Sequence, residues 1–147
     1  MWAQFDGIDK PRCEVCANLS TLMSATPTRV LAVCLGNICR SPMAEGVLRH
    51  HIQTNGLRIK VDSAGTNGYH NGEAPDRRAQ QEMRRHGIDI SKQVSRQIAR
   101  KDFDDFDLIL VMDESNLQDV TALAGDREDW VDKIHLFLEE DNVPDPY

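Results

Sequence analysis

Aromatic side chains make up only 5% of this 147-residue chain, cysteines number four, and no long apolar run occurs. The longest clean apolar stretch, Val30 to Leu35, falls far short of the ~20 residues that span a bilayer. No membrane association is therefore expected. Four cysteines, Cys13, Cys16, Cys34 and Cys39, are too sparse for a disulfide-stapled secreted scaffold. The opening MWAQFDGIDKPRCEVC has no basic stretch leading into an apolar one, so no secretion signal is read there. Both points predict a reduced, cytoplasmic protein. Basic residues are in deficit, 17 against 24 acidic ones, for a net charge of −7. A general nucleic-acid binder carries the opposite sign, and no nucleic-acid partner is expected. Acidity does not exclude a small anionic substrate, because a few converging amides and one Arg make a local positive pocket. What remains is 40% hydrophobic and 28% charged, the composition of one globular domain. At this length about 70% of the unfolded surface can be buried without staples.

Residues 1–28 follow no period and read as an extension, poorly ordered or carrying a short helix over residues 16–24. The lone C-x2-C of Cys13 and Cys16 lacks the second ligand pair a zinc site needs. From Arg29 the pattern becomes regular. Residues 29–35 (RVLAVCL) read as a buried strand. Ser41 as N-cap and Pro42 as first helical residue open a helix that Asn55–Gly56 ends. Residues 58–64 alternate as a half-buried strand does, and residues 65–72 form a polar, Gly-rich loop. Helices are expected over 75–86, 95–106 and 114–124, and strands over 107–112 and 133–138. His50 and His51 fall on the solvent side of the first helix. Strands separated by helices need crossovers. The expected fold is α/β, a three-layer α-β-α sandwich around a four-stranded parallel sheet of order 2-1-3-4. That order puts the end of the first strand at a topological switch point, where open α/β sheets bind ligands.

The segment there is Cys34-Leu35-Gly36-Asn37-Ile38-Cys39-Arg40-Ser41. A loop leaving a buried strand for a helix N-terminus turns its backbone N–H groups inward and forms an anion cradle. Gly36 and Asn37 tolerate the left-handed backbone such a loop requires. Cys34 sits at the bottom of the cradle, where the same amides stabilise a thiolate and make it a nucleophile at neutral pH. Arg40 offers a planar fork to two phosphoryl oxygens, and Ser41 can donate to the sulfur when it departs. The plain alternative is a βα turn with a buried Cys and a solvated Arg; the capped helix and the Gly, Asn and Ser at useful places favour the cradle.

VCLGNICRSPMAEGVL resembles the signature of the low-molecular-weight protein tyrosine phosphatases. Val61 to Thr66 is similar to that family's second strand and loop, Val111 to Leu117 to its third strand and turn, and Asp145-Pro146-Tyr147 to its acid-bearing loop. The likeness covers residues 29–147. It implies a phosphotyrosine or aryl phosphate monoester hydrolase working through a phosphocysteine intermediate, without metal or cofactor. By this likeness Cys34 attacks phosphorus, Arg40 and the loop residues Leu35, Gly36, Asn37, Ile38 and Cys39 hold the oxygens, and Asp145 is the acid. Asn37, Ser41 and Ser63 fix the loop's shape, with Asp113 nearby, which also reads as a helix N-cap. Inorganic phosphate or a similar oxyanion would occupy the loop. Asp141 competes for the acid's role, but DPY favours Asp145, with Pro144 and Pro146 stiffening its loop. Tyr69 and Tyr147 match the two walls of an aromatic pocket; a solvated loop residue is the alternative for Tyr69. Relatives acting on phosphoarginine place Thr where Ile38 stands, so Ile38 implies a phenyl ring and phosphotyrosine.

Cys39 lies close enough along the chain for a disulfide with Cys34 that would protect the nucleophile, or it is a small packing residue. Gln93 stands where the family has a His. The family's C-terminal helix has no counterpart before Tyr147, which raises the alternative of a phosphate-binding but catalytically weak homologue. An arsenate reductase of this fold would need cysteines downstream of Cys39, and none follows.

Overall fold

The computed structural model describes residues 28–139 and 141–146. The expected helix over 16–24, the Cys13–Cys16 pair and Tyr147 lie outside the described residues. Four strands, β1 (Thr28–Cys34), β2 (Ile59–Gly65), β3 (Leu108–Val111) and β4 (Ile134–Leu136), form one parallel sheet of order β2-β1-β3-β4. Both the parallel pairing and the order are those read from the sequence. β1 takes in Thr28, paired with Ile59, one residue before the expected boundary. Its pattern of near-continuous burial is that of a central strand covered on both faces.

Side-chain alternation sorts the sheet into two cores. Leu31 and Val33 of β1, with Ile109 and Val111 of β3, pack against Phe103, Phe106, Val120, Ala124 and Trp130. These come from α3 (Asp102–Asp105), α4 (Glu114–Ala124), α5 (Glu128–Val131) and their ends. Val30 and Leu110 face the other way, against Ile59, Val61 and the half-buried Leu48 and Ile52 of α1 (Arg40–Thr54). By the same parity Ala32 and Cys34 point toward α1, in a small cluster with Met112. Helix α2 (Arg77–Arg85), capped by Asp76, packs Ala79 and Met83 against Cys39 and Ile90. The three-layer expectation therefore holds, and it places Cys34 at the end of the central strand where the chain crosses from one side to the other.

Two local expectations are corrected. Ser41 is not the N-cap of α1: the cap position is Cys39, Arg40 is the first helical residue, and the Ser41 hydroxyl is spent elsewhere. Residues 95–106 are not one helix. Only Asp102–Asp105 is helical, because the backbone before it is taken by tertiary partners. Gly65 N–H donates to Arg96 O and Ile98 N–H to Gly65 O, both at 2.8 Å. Ser95 N–H donates to Glu73 O at 2.8 Å. A segment so bonded cannot also close its own i to i−4 bonds.

Candidate active site

Between β1 and α1 the chain wraps closely around the Cys34 sulfur. Cys34 is 3% exposed. Asn37 N–H donates to its Sγ at 3.3 Å, and Ser41 Oγ stands 3.0 Å from it. The turn is made possible by Asn37, which sits at φ 55°, a conformation Asn tolerates better than other side-chain-bearing residues.

The Asn37 side chain then ties the loop to the rest of the fold. Its Nδ2 donates to Ser41 Oγ and to Ser63 Oγ, each at 2.9 Å. Its Oδ1 accepts from Arg96 N–H at 3.0 Å. That last donor has no alternative role, so the amide orientation is fixed. With both hydroxyls accepting from Asn37, their own protons are free to point onward. The Ser41 proton has Sγ at 3.0 Å or Ala64 O at 3.3 Å, and Ser63 Oγ donates to Glu45 Oε2 at 2.5 Å. Gly36 is held by Ser95 Oγ, which donates to its carbonyl at 3.1 Å. Behind the loop, Thr66 N–H donates to Cys34 O at 2.8 Å and Asn67 N–H to Leu35 O at 3.0 Å.

Arg40 is buried at the start of α1, and its guanidinium reaches across to three groups. Nη1 donates to Asp113 Oδ2 at 2.5 Å and to Val143 O at 3.3 Å; Nη2 lies 3.7 Å from Asp145 Oδ2. Asp113 also caps α4, accepting from Asn116 N–H at 2.7 Å. Burial works against its charge but is outweighed by the Asn116 amide, by Arg40 and by the Ser115 amide, so its carboxyl lies below the usual aspartate value. The loop bearing Asp145 is docked by Val143 N–H on Met112 O at 2.7 Å and by Asn142 Oδ1 accepting from Glu114 N–H at 3.0 Å.

The structure thus links Cys34, Asn37, Ser41 and Ser63 in one set of contacts, and Arg40, at the loop's end, with Asp113 and Asp145 in another. Asp141 instead bonds locally with Leu138 and Asn142. Cys39 turns away from Cys34 into the cluster with Ala79, Met83 and Ile90. Ile38 is half-buried, Leu35 is 48% exposed, and Tyr69 stands out at 86% exposure. His50 and His51 are exposed, as expected. Gln93 Nε2 donates to Pro42 O at 3.2 Å, tying its loop to the first turn of α1.

Three supporting groups were not anticipated. Glu45 is 3% exposed, bonded to Ser63 and to Arg49 Nη2 at 2.7 Å. Burial raises its pKa above the ordinary value of 4.5, against the pull of Ser63 and Arg49. Ser95 and the Arg96 amide come from the stretch expected to be helical. A Glu one turn into an amphipathic helix reads as solvated, and no local signal distinguishes this one.

The family model for low molecular weight phosphotyrosine protein phosphatase matches residues 29–147, and the chain belongs to that family. The chain is 44% identical over 124 residues to the low molecular weight protein-tyrosine-phosphatase YfkJ of Bacillus subtilis, covering 80% of each. The crystal structure of YfkJ superposes with a TM-score of 0.77 over 85% of this chain and 82% of that one, at 40% identity. The low molecular weight phosphotyrosine protein phosphatase of Homo sapiens is 46% identical over 125 residues, 80% of this chain and 78% of its own. An arginine phosphatase from Drosophila is also similar, with a TM-score of 0.68 and 40% identity over 73% of this chain and 69% of its own.

Proposed function

We propose that this chain hydrolyses phosphotyrosine, in proteins or as small aryl phosphates, in two displacements at Cys34. The observation that carries the reading is one buried sulfur contacted by Ser41 Oγ and the Asn37 amide, in a loop that ends on Arg40 and its partner Asp145. The inward amide of Asn37, with those of Leu35, Gly36, Ile38 and Cys39, and the N-terminus of α1 would receive the phosphoryl oxygens. Arg40, held by Asp113, would supply the charged donors that stabilise the equatorial oxygens best in the transition state. Cys34 thiolate attacks phosphorus in line while Asp145 gives its proton to the departing phenolate. A phosphocysteine remains. Ionised Asp145 then takes a proton from water as that water attacks phosphorus. Inorganic phosphate leaves, and Ser41 donates to the departing thiolate. Every proton is accounted for by these groups, and no metal or cofactor enters the scheme.

Ile38 and the exposed Tyr69, with Tyr147, would frame a flat ring rather than a guanidinium. The two described cysteines, Cys34 and Cys39, are thiols rather than disulfide partners, which suits a reducing, cytoplasmic setting. No helix among the described residues is long and apolar enough to cross a membrane. The packing of Cys39 among Ala79, Met83 and Ile90 favours its role as a filler over a disulfide with Cys34.

One assay series checks the reading. Wild type should turn over aryl phosphates and prefer them to phosphoarginine. Cys34→Ser should give no turnover. Asp145→Ala should slow turnover by about 10²–10⁴-fold with a poor leaving group and recover in part as the leaving group improves. Equal rates for all three proteins, or a wild type that prefers phosphoarginine, would reject it.

A further inference from the structure

A second depression adjoins the cradle on the α4 side. It encloses about 400 Å³ and is lined by Leu35, Thr66, Asn67, Gln97, Ile98, Asp119 and Leu123. Leu35 is the residue after the nucleophile, so the depression begins where the cradle ends. Asp119 and Leu123 are four apart on α4 and share one face of that helix. The pocket therefore pairs apolar surface from Leu35, Ile98 and Leu123 with one charge, the carboxylate of the exposed Asp119. The nearby guanidinium of Arg100 does not line it. Arg100 donates to Leu123 O at 2.7 Å and lies over the Trp130 ring at 4.9 Å.

Resting on the phosphotyrosine reading above, we propose that this pocket is a specificity subsite for a lysine or arginine flanking the phosphotyrosine of a protein substrate. A long basic side chain lays its methylenes along apolar surface and keeps its charged head at the edge. The apolar stretch from Leu35 to Leu123 would receive the methylenes, and Asp119 the head. Acidic flanking residues would meet Asp119 with no counter-charge among the lining residues. An adjacent residue of an extended peptide lies ~3.3 Å further along its chain, which suits a subsite that shares Leu35 with the cradle.

The test compares phosphotyrosine peptides carrying Lys, Ala or Glu at each of the flanking positions, with a small aryl phosphate as reference. For wild type, kcat/KM should favour the Lys peptide over the Glu peptide at one or two positions. An exposed ion pair supports about a threefold to fivefold preference. The preference should shrink as salt is raised. In Asp119→Asn the Lys-to-Glu ratio should fall toward one, and in Asp119→Lys it should invert. Because each ratio is taken within one variant, a general loss of activity or folding cancels. A wild type that hydrolyses the aryl phosphate but treats Lys and Glu peptides alike overturns the subsite and leaves the phosphatase reading standing. Preference for Glu, or a Lys preference that survives Asp119→Lys, also overturns the subsite. Failure to hydrolyse the aryl phosphate would bring down the phosphatase reading, and the subsite with it.

Discussion

Asn37 does for the loop what no apolar residue at that position could. It adopts the left-handed turn and spends every hydrogen-bonding atom of its side chain on Ser41, Ser63 and Arg96. The chain of bonds ends on Glu45, and there a titration is built into the fold. Its charged surroundings are Arg49 on the same helix, Asp62 on β2 and Arg96 from the arm beyond. Burial raises the Glu45 pKa, so the folded protein holds this proton more tightly than the unfolded chain does. The resulting stabilisation is complete below pH 4.5 and is lost as pH rises through the folded value. Glu45→Gln keeps the shape and removes the titration. Denaturant unfolding at a series of pH values should show the variant gaining on wild type from pH 4.5 upward and then levelling off. Parallel stability curves for the two proteins would mean that Glu45 titrates as an ordinary surface carboxylate. The placing of Cys34 at the strand end, with Ser41 beside it and Arg40 at the helix start, was legible because strand, glycine, asparagine and helix start all sit within eight consecutive positions. The part played by Glu45 was not, because its burial depends on how α1 lies across β2, which no local pattern records.

Among the elements, α4 has the clearest division of labour: its N-terminus belongs to the site and its body to the core. Asp113 accepts from Asn116 N–H and holds Arg40 with the same carboxylate. Asp113→Ala should cost about 1 kcal/mol through loss of the cap, and Asp113→Asn, an equally good cap, should restore most of it. Both should slow turnover, because the charge that orients Arg40 is gone. The depressed Asp113 pKa stabilises the fold above pH 3.8, and that contribution is lost as pH falls through the still lower folded value. Both variants should therefore lose less stability than wild type on acidification below that point, as acid titrations of the circular dichroism signal would record. This helix was legible end to end, with Asp113 before it and Gly125 after it at φ 67°. The stretch over 95–106 was not. Its helical spacing is real, but the amide of Arg96 is claimed by Asn37 and its carbonyl by Gly65. Those partners lie 59 and 31 positions away, beyond the reach of any local periodicity.

At the scale of the molecule, the sheet separates two layers that do different work. The face toward α1 carries Cys34 and its hydrogen-bonded support, while the opposite face holds the larger apolar core. Phe103 sits in that core with none of its surface exposed, stacked on Trp130 with ring centroids 5.0 Å apart and planes 10° from parallel. Truncating such a ring leaves a cavity that neighbouring side chains only partly refill, at a cost of about 3–5 kcal/mol. For a domain of this length that is a fall in Tm of roughly 10 °C or more. The core cluster of Phe103 holds none of the loop residues 35–41, and β1 and β3, paired over Val30–Val33 and Leu108–Val111, stand between the two layers. Phe103→Ala should therefore unfold well below wild type in a calorimetric scan. At a temperature where both proteins are folded, it should retain a wild-type kcat on an aryl phosphate. A drop in kcat under those conditions, with no unfolded fraction present, would show that strain crosses the sheet and that the loop's shape is set by both cores rather than by the bonds around Asn37.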